Sequence, residues 1–419
     1  MPKLAKHRVK FTIIMAFLLL AAAIVAVVYA RGFKPNFKTR SFDRTGIIVA
    51  TSIPTGARIF LDGRLTSATN ANINFLEPKS YKVRIEKDGY TAWEKDVDVT
   101  ADLATEINAL LFPQAPEIKP LTTTGAQNPT LSPDSTKIVY GVSGVRGGVY
   151  LISMDNSPFN FFQNTKLLAK NTSTTDFSKS RFIWSPDAKQ IIARFENENG
   201  PSSPSPRFGE TSGEAGTASA NLLVDSDKSE QNPPDITGSL TATLSNWQQQ
   251  IEDRNQTTKT LIPDLVKQAT AAAQTASPTP SPTAKPAIKT QPTPLPSPIA
   301  LNYFPTGTMF SPDEEKILYK TTGEKYKVYD LKLKKEYTLP DLPDFVNITW
   351  FPDSKHLIIA QKDLISIVET DGTNKMTVYS GKFENGFVFA NPTGTRLIIL
   401  TALTQPSGTP PNLYSINLR

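Results

Sequence analysis

Ser132-Pro133-Asp134, followed by Lys137-Ile138-Val139-Tyr140, decides the fold because the chain repeats it. Ser185-Pro186-Asp187 leads to Gln190-Ile191-Ile192-Ala193, and Ser311-Pro312-Asp313 leads to Lys316-Ile317-Leu318-Tyr319. Phe351-Pro352-Asp353 leads to His356-Leu357-Ile358-Ile359, and Asn391-Pro392-Thr393 leads to Arg396-Leu397-Ile398-Ile399. Each copy is a turn, a polar residue, then a run of β-branched and aliphatic residues. A Pro-Asp turn opening a short buried strand, used again and again, points to a propeller or another repeat array.

The strands around each turn follow from the same reading. The inner strands end on an aromatic: Phe182-Ile183-Trp184, Thr308-Met309-Phe310, Ile348-Thr349-Trp350 and Phe387-Val388-Phe389. An aromatic at that place packs blade against blade. A further apolar strand follows each turn strand, as in Val149-Tyr150-Leu151-Ile152, Leu222-Leu223-Val224 and Ile365-Ser366-Ile367-Val368. The last turn motifs begin at 311, 351 and 391, so the final spacings are 40 and 40. A four-stranded blade takes about 40–45 residues. The segment 117–419 is therefore read as a β-propeller of five or six blades. A sixth blade would lie in the long second interval or be closed by the strand near Leu121.

The interval from 187 to 311 is 124 residues, about three blade lengths, with a turn motif only at its start. Within it, Leu240, Leu244, Trp247 and Ile251 recur at helical spacing, and Leu261, Leu265 and Val266 suggest a second helical set. Residues 236–274 are expected to form a helical insertion, with Trp247 as a packing anchor. Residues 275–299, rich in Pro, Ser and Thr, are expected to be extended and disordered.

Upstream, Lys3, Lys6, Arg8 and Lys10 precede an unbroken apolar run from Phe11 to Ala30. About 20 apolar residues match the thickness of a bilayer. The expected order is a cytoplasmic tail 1–10, a transmembrane helix 11–30 and a juxtamembrane linker 31–45. Positive residues lie on both flanks, with Arg31, Lys34, Lys38, Arg40 and Arg44 after the run. Cleavage as a signal peptide is the competing reading, since Val28-Tyr29-Ala30 offers small residues at the needed place. Either reading makes the bulk of the chain extracytoplasmic.

Residues 46–113 change to alternating strands broken by turns. Ile47-Ile48-Val49-Ala50-Thr51, Arg58-Ile59-Phe60-Leu61 and Tyr81-Lys82-Val83-Arg84-Ile85 read as strands, and Asp62-Gly63 reads as a hairpin turn. The sum is a small β-sandwich-like domain. Ser52-Ile53-Pro54-Thr55-Gly56-Ala57, Phe60-Leu61-Asp62-Gly63, Tyr81-Lys82-Val83 and Gly89-Tyr90 resemble the pattern of the PEGA domain. Thr55 stands where that family has Glu, and Lys79-Ser80 where it has Pro-Gly. The resemblance implies an envelope protein module without catalytic residues. The repeated turns of 117–419 resemble the WD-like repeats of TolB-type propellers, Ser-Pro-Asp-Gly-x-x-hydrophobic. The Gly after the Asp position is missing from the first four copies and present as Gly394 in the last.

Composition narrows the chemistry. The chain has 419 residues, 39% hydrophobic and 20% charged, with 34 prolines and a net charge of +6. Much of the excess charge lies beside the apolar run, so no nucleic-acid surface is indicated. With no cysteine, disulfides, thiolate catalysis and Cys-based zinc sites are excluded. Of the two histidines, His7 lies in the basic tail and His356 aligns with Lys137, Gln190, Lys316 and Arg396, a polar position read as solvent-facing. A Ser-His-Asp triad finds no support. Asp134, Asp187, Asp313 and Asp353 belong to turns, where Asp caps backbone. Gly144-Val145-Arg146-Gly147-Gly148 reads as a hairpin turn, not a phosphate loop. No catalytic, cofactor-binding or metal-binding residue is assigned. The expected function is non-catalytic binding or scaffolding at the cell envelope, anchored to the membrane through 11–30, with an envelope protein or glycan as partner. The alternatives are a propeller hydrolase or lyase acting on envelope glycans, and a sensory ectodomain working with a separate partner.

Overall fold

The structure is a computed structural model. It describes residues 3–30, 33–36, 41–154, 165–195, 220–261, 308–321, 325–384, 386–403 and 409–419. The chain divides into two compact units, Met1–Ala115 with Arg419, and Pro116–Leu418.

The first unit opens with helix α1, Lys3–Ala30. Its side chains are described for residues 11–27, and all of them are exposed, Phe17 to 73% and Leu19 to 65%. Among the described residues no helix is long and apolar enough to cross a membrane. The stretch expected as a plain linker instead contains a two-stranded hairpin, Phe33–Asn36 against Ser41–Arg44.

Two sheets follow. One has three strands, with Gly46–Ile53 between Ala71–Leu76 and Ala104–Leu110, the last pairing parallel. The other has four strands, in the spatial order Arg64–Ala68, Arg58–Leu61, Ser80–Glu86, Trp93–Asp98. Alternation sends Ile48, Ala50 and Ile107 of one sheet and Ile59, Val83, Ile85 and Trp93 of the other into a single shared core. That is a sandwich. Asp62 and Gly63 both have positive φ, 48° and 79°, as a two-residue hairpin turn of the primed type demands. Buried Ser52 fixes the neighbouring turn: its Oγ lies 2.6 Å from the Pro54 carbonyl oxygen, to which it donates. Thr69 Oγ1 completes the turn by accepting the Ala57 N–H at 3.0 Å.

The second unit contains five sheets among the described residues. The first is Gln127–Leu131, Lys137–Val142, Gly148–Ser153 and Thr165–Lys170. The second is Ser180–Trp184, Gln190–Phe195 and Asn221–Asp225, continued by an isolated bridge from Leu222 to Asp235. The third runs from Thr308–Phe310 to Lys335–Thr338 and the fourth from Phe345–Trp350 to Met376–Ser380. The fifth is Val388–Ala390, Arg396–Thr401 and Asn412–Asn417.

The fifth sheet takes its outer strand from the start of the unit: Ile118–Pro120 pairs with Asn412–Asn417. Ile118–Pro120 is therefore part of a blade. The stitch removes a free edge from the last sheet. Next to it, Thr122 Oγ1 donates to Asn412 Oδ1 at 2.9 Å and accepts the Leu413 N–H at 2.9 Å, all buried.

Each turn strand presents successive residues to opposite neighbours. In the first blade Ile138 and Tyr140 share a core with Phe389, Ile398 and Leu413 of the fifth. The alternate residue Val139 packs with Trp184 and Ile191 of the second blade. Leu318 and Val328 of the third blade meet Leu357 and Ile359 of the fourth. In these shared cores the first apolar residue of the motif (Ile138, Ile191, Leu357) faces the preceding blade and the second (Val139, Leu318, Ile398) faces the next.

The second blade obeys this rule with a different neighbour. Helix α2, Leu240–Leu261, places Leu244 and Trp247 against Ile192, and Ile183 and Leu223 join that cluster. A helix thus covers the blade face that elsewhere meets the following blade. Trp247 is the packing anchor expected from its spacing. Of the expected second helical set, Leu261 ends α2, while Leu265, Val266 and the segment 275–299 lie outside the described residues.

Candidate functional site

The repeated acids are used in building. In the first three turn motifs the serine hydroxyl donates to the aspartate: Ser132 to Asp134 at 2.5 Å, Ser185 to Asp187 at 2.6 Å and Ser311 to Asp313 at 2.5 Å. The same hydroxyl accepts the N–H of Lys137, Gln190 or Lys316, each at 2.9 Å. The carboxylate accepts a further backbone N–H, from Thr136, Lys189 or Glu315. Burial pushes these carboxyls up, but the hydrogen bonds outweigh it and hold all three below the ordinary range.

The fourth motif has Phe351 in place of serine, and here the structure corrects the sequence reading. His356 is buried, 3% exposed, rather than solvent-facing. Its Nδ1 lies 2.7 Å from Asp353 Oδ2, and its backbone N–H donates to Asp353 Oδ1 at 3.0 Å. An ionised carboxylate can only accept, so Nδ1 carries the proton. Burial pushes the Asp353 carboxyl up, but the hydrogen bond and charge of His356 together with the Lys355 and His356 N–H groups outweigh it and hold the carboxyl low. The imidazole bonds Asp353 as a serine hydroxyl bonds the aspartate in the first three copies. The signal was in the sequence, since the copy that lacks Ser or Asn at the first position is the one with His at the sixth.

Among the residues aligned with His356, Gln190 is exposed as expected, whereas Lys137, Lys316 and Arg396 are half-buried. Lys137 is half-buried and donates through Nζ to the Ala188 carbonyl at 3.2 Å and to Ser226 Oγ at 3.1 Å, both in the second blade. Half-buried Lys316 places its Nζ 3.6 Å from Oδ2 of buried Asp330. The turns also lock to one another, with the Asp313 N–H donating to Ser354 Oγ at 3.1 Å. This end of the blades is architecture.

The opposite end carries the loops between second and third strands and between successive blades. There, Lys320, Lys325 and Tyr326 of the third blade meet Pro340, Asp341, Leu342 and Phe345 around an open cleft of about 200 Å³. Tyr326 and Phe345 form its aromatic wall, centroids 5.0 Å apart and planes tilted by 39°. Lys320 Nζ stands 5.9 Å from the Tyr326 ring centroid. Lys325 Nζ lies 3.5 Å from Asp341 Oδ1, and both side chains are exposed at the mouth. Pro340 and Pro343 bracket Asp341 and Leu342, so the rim has a restricted backbone. The arrangement can stack a ring, accept hydroxyls at Asp341 and hold an anionic group at the lysines. Sequence reading missed this cleft because its residues come from loops around two blades and share no motif.

Other residues singled out from sequence serve structure. Gly144 to Gly148 form the hairpin turn, closed by the Gly147 N–H donating to Gly144 O at 2.9 Å. Lys79, a departure from the family pattern, donates to Asp62 Oδ2 at 2.7 Å and lies 4.4 Å over the Tyr81 ring. Its hydrogen bond, then that of the Lys82 N–H, hold the Asp62 carboxyl low. His7 lies in a part of α1 whose side chains are not described. Among the described residues no group of His, Cys, Asp and Glu could hold a metal ion.

Residues 45–114 match the PEGA domain family. No curated protein matches the chain at a significant level. Among solved structures, similarity extends to an oligogalacturonate lyase in complex with manganese, at 10% identity and a TM-score of 0.27, covering 81% of this chain and 86% of the other. A TolB described as putative from Agrobacterium tumefaciens is 13% identical with a TM-score of 0.22, covering 68% of this chain and 76% of its own. TolB from Acinetobacter baumannii is 12% identical with a TM-score of 0.18, covering 81% of this chain and 56% of its own. Scores this low carry no argument about function, and the blade reading rests on the sheets and their shared cores.

Proposed function

We propose that this chain is a membrane-anchored, extracytoplasmic protein of the cell envelope that binds or scaffolds and catalyses nothing. The observation that carries binding is where the polar groups go. The repeated aspartates and His356 are spent on turn geometry, while the opposite end of the blades presents an open cleft with an aromatic wall and a charged rim. Anchoring through residues 11–30 is supported by the exposed apolar faces of α1 and the basic residues that flank it. The match of residues 45–114 to PEGA supports the envelope setting.

Cell fractionation tests the anchor. The full chain is expected to stay with membranes through a high-pH wash and to be digested by protease added outside intact cytoplasmic membranes. Release by the wash would overturn it. For binding, the detergent-solubilised full chain is incubated with envelope glycan fragments and with envelope proteins. Retention with fragment sizes unchanged supports binding, and shortened fragments would replace it with a hydrolase or lyase.

A further inference from the structure

We infer that the cleft at the junction of the third and fourth blades receives an acidic sugar residue, a hexose-type ring bearing a carboxylate. This inference rests on the binding function proposed above and names its ligand class.

Each part of the cleft matches one part of such a ligand. Tyr326 and Phe345 both line the cleft and pack on one another, centroids 5.0 Å apart and planes tilted by 39°, so a guest meets the outer surface of the pair. Sugar rings present a face of C–H bonds that packs on an aromatic surface. Lys320 stands over that wall, 5.9 Å from the Tyr326 centroid, where its ammonium can reach a carboxylate on a stacked ring. Across the mouth, Lys325 and Asp341 are 3.5 Å apart and solvent-exposed, a weak pair that an incoming ligand can open. Opened, Lys325 adds a second cation for the carboxylate, and Asp341 accepts from ring hydroxyls. A space of about 200 Å³ suits one ring rather than a drug-sized ligand. A neutral sugar gains nothing from the charge of the lysines. A simple carboxylate would leave the aromatic wall and Asp341 unused. An acidic sugar uses all of them.

The loops that form the cleft also fix it. Tyr326 pairs with Lys320 at the end of the second-to-third strand hairpin, and Phe345 pairs with Gln361 at the start of the fourth blade. Strand pairing therefore holds both rings in place before a ligand arrives.

The test uses the full chain in detergent, titrated with D-glucuronate, D-glucose and acetate and followed by ligand-observed NMR. Glucuronate is expected to bind at least tenfold more tightly than either glucose or acetate. Phe345→Ala is expected to weaken glucuronate tenfold or more. Lys320→Met, at a half-buried rim position, is expected to bring glucuronate down to the level of glucose while leaving the thermal midpoint unchanged. Should Phe345→Ala fail to fold, Lys320→Met and Asp341→Asn still decide the matter. Equal affinity for glucuronate and glucose, equal affinity for glucuronate and acetate, or glucuronate binding unchanged in the folded variants would each overturn the inference. Capture of envelope material by the full chain without glucuronate binding would remove this ligand class and leave the binding function standing.

Discussion

Ser132 hydrogen-bonds at two points of its own turn, and that small arrangement sets much of the chemistry of this protein. The fourth residue of each turn motif is left-handed: Ser135, Ala188, Glu314 and Ser354, each after an aspartate, have φ between 56° and 59°, and Gly394, after Thr393, has φ 63°. An L side chain there costs about 1–2 kcal/mol, part of which glycine gives back through its freer unfolded chain. Ser135→Gly and Glu314→Gly are each expected to raise stability by about 0.5–1 kcal/mol, read as a higher denaturant midpoint with an unchanged slope. The aspartates make a prediction about pH. Their carboxyls are held below the ordinary value in the folded chain, so their contribution is present above about pH 4, the unfolded value, and is lost as pH falls through the lower folded values. Acid unfolding is thus expected to begin below about pH 4. Removing the hydroxyl in Ser132→Ala takes away a bond that holds Asp134 low, so that variant should lose about 1 kcal/mol at neutral pH and show a shallower dependence below pH 4. Parallel acid titrations of stability would check the sign, and an equal slope in both proteins would refute it.

At the scale of elements, α2 is the departure from a simple repeat. Its residues Leu244, Trp247 and Ile251 are buried along one face, and the first two close the side of the second blade that other blades turn toward a successor. Trp247→Ala should cost about 3–5 kcal/mol, and melting should be accompanied by earlier binding of an apolar dye as Ile192, Ile183 and Leu223 are uncovered. Gln249→Ala, on the exposed side, is the control and should shift stability by less than about 0.5 kcal/mol. The helix itself was legible in the spacing of Leu240, Leu244, Trp247 and Ile251, because a 3.6-residue period reports one apolar face. Its destination was not, since an apolar face does not say which sheet it meets. The strands were legible for the same reason, and the burial of His356, Lys137 and Lys316 was not. A polar residue beginning a strand looks solvent-facing until its partner is set beside it: the second blade for Lys137, Asp330 of the same blade for Lys316 and Asp353 of the same turn for His356. The cleft at Tyr326 and Phe345 was invisible for a further reason: it is made by loop ends that only sheet packing brings together.

For the second unit as a whole, the decisive contact joins residues nearly 300 apart in sequence. The outer strand Ile118–Pro120 and the buried Thr122 complete a blade whose other strands lie at the far end of the chain. Such a contact forms only when the intervening blades are in place, since closing a long loop is entropically costly before native contacts repay it. Stability of the last blade should therefore report on all of them. Two truncations separate this account from one in which residues 116–122 merely tether the units. A chain beginning at Pro116 retains the strand and the Thr122–Asn412 bond, and should unfold cooperatively with a midpoint near that of the full chain. A chain beginning at 123 leaves the edge of Asn412–Asn417 unpaired and Asn412 buried without Thr122. It should be destabilised by several kcal/mol and prone to edge-to-edge association. Thr122→Val isolates the side-chain part and is expected to cost about 1–3 kcal/mol, because it leaves Asn412 Oδ1 without the donated hydroxyl. If the chain beginning at 123 matched the one beginning at Pro116 in midpoint and oligomeric state, the amino-terminal strand would be an ornament of the last blade rather than the stitch that completes it.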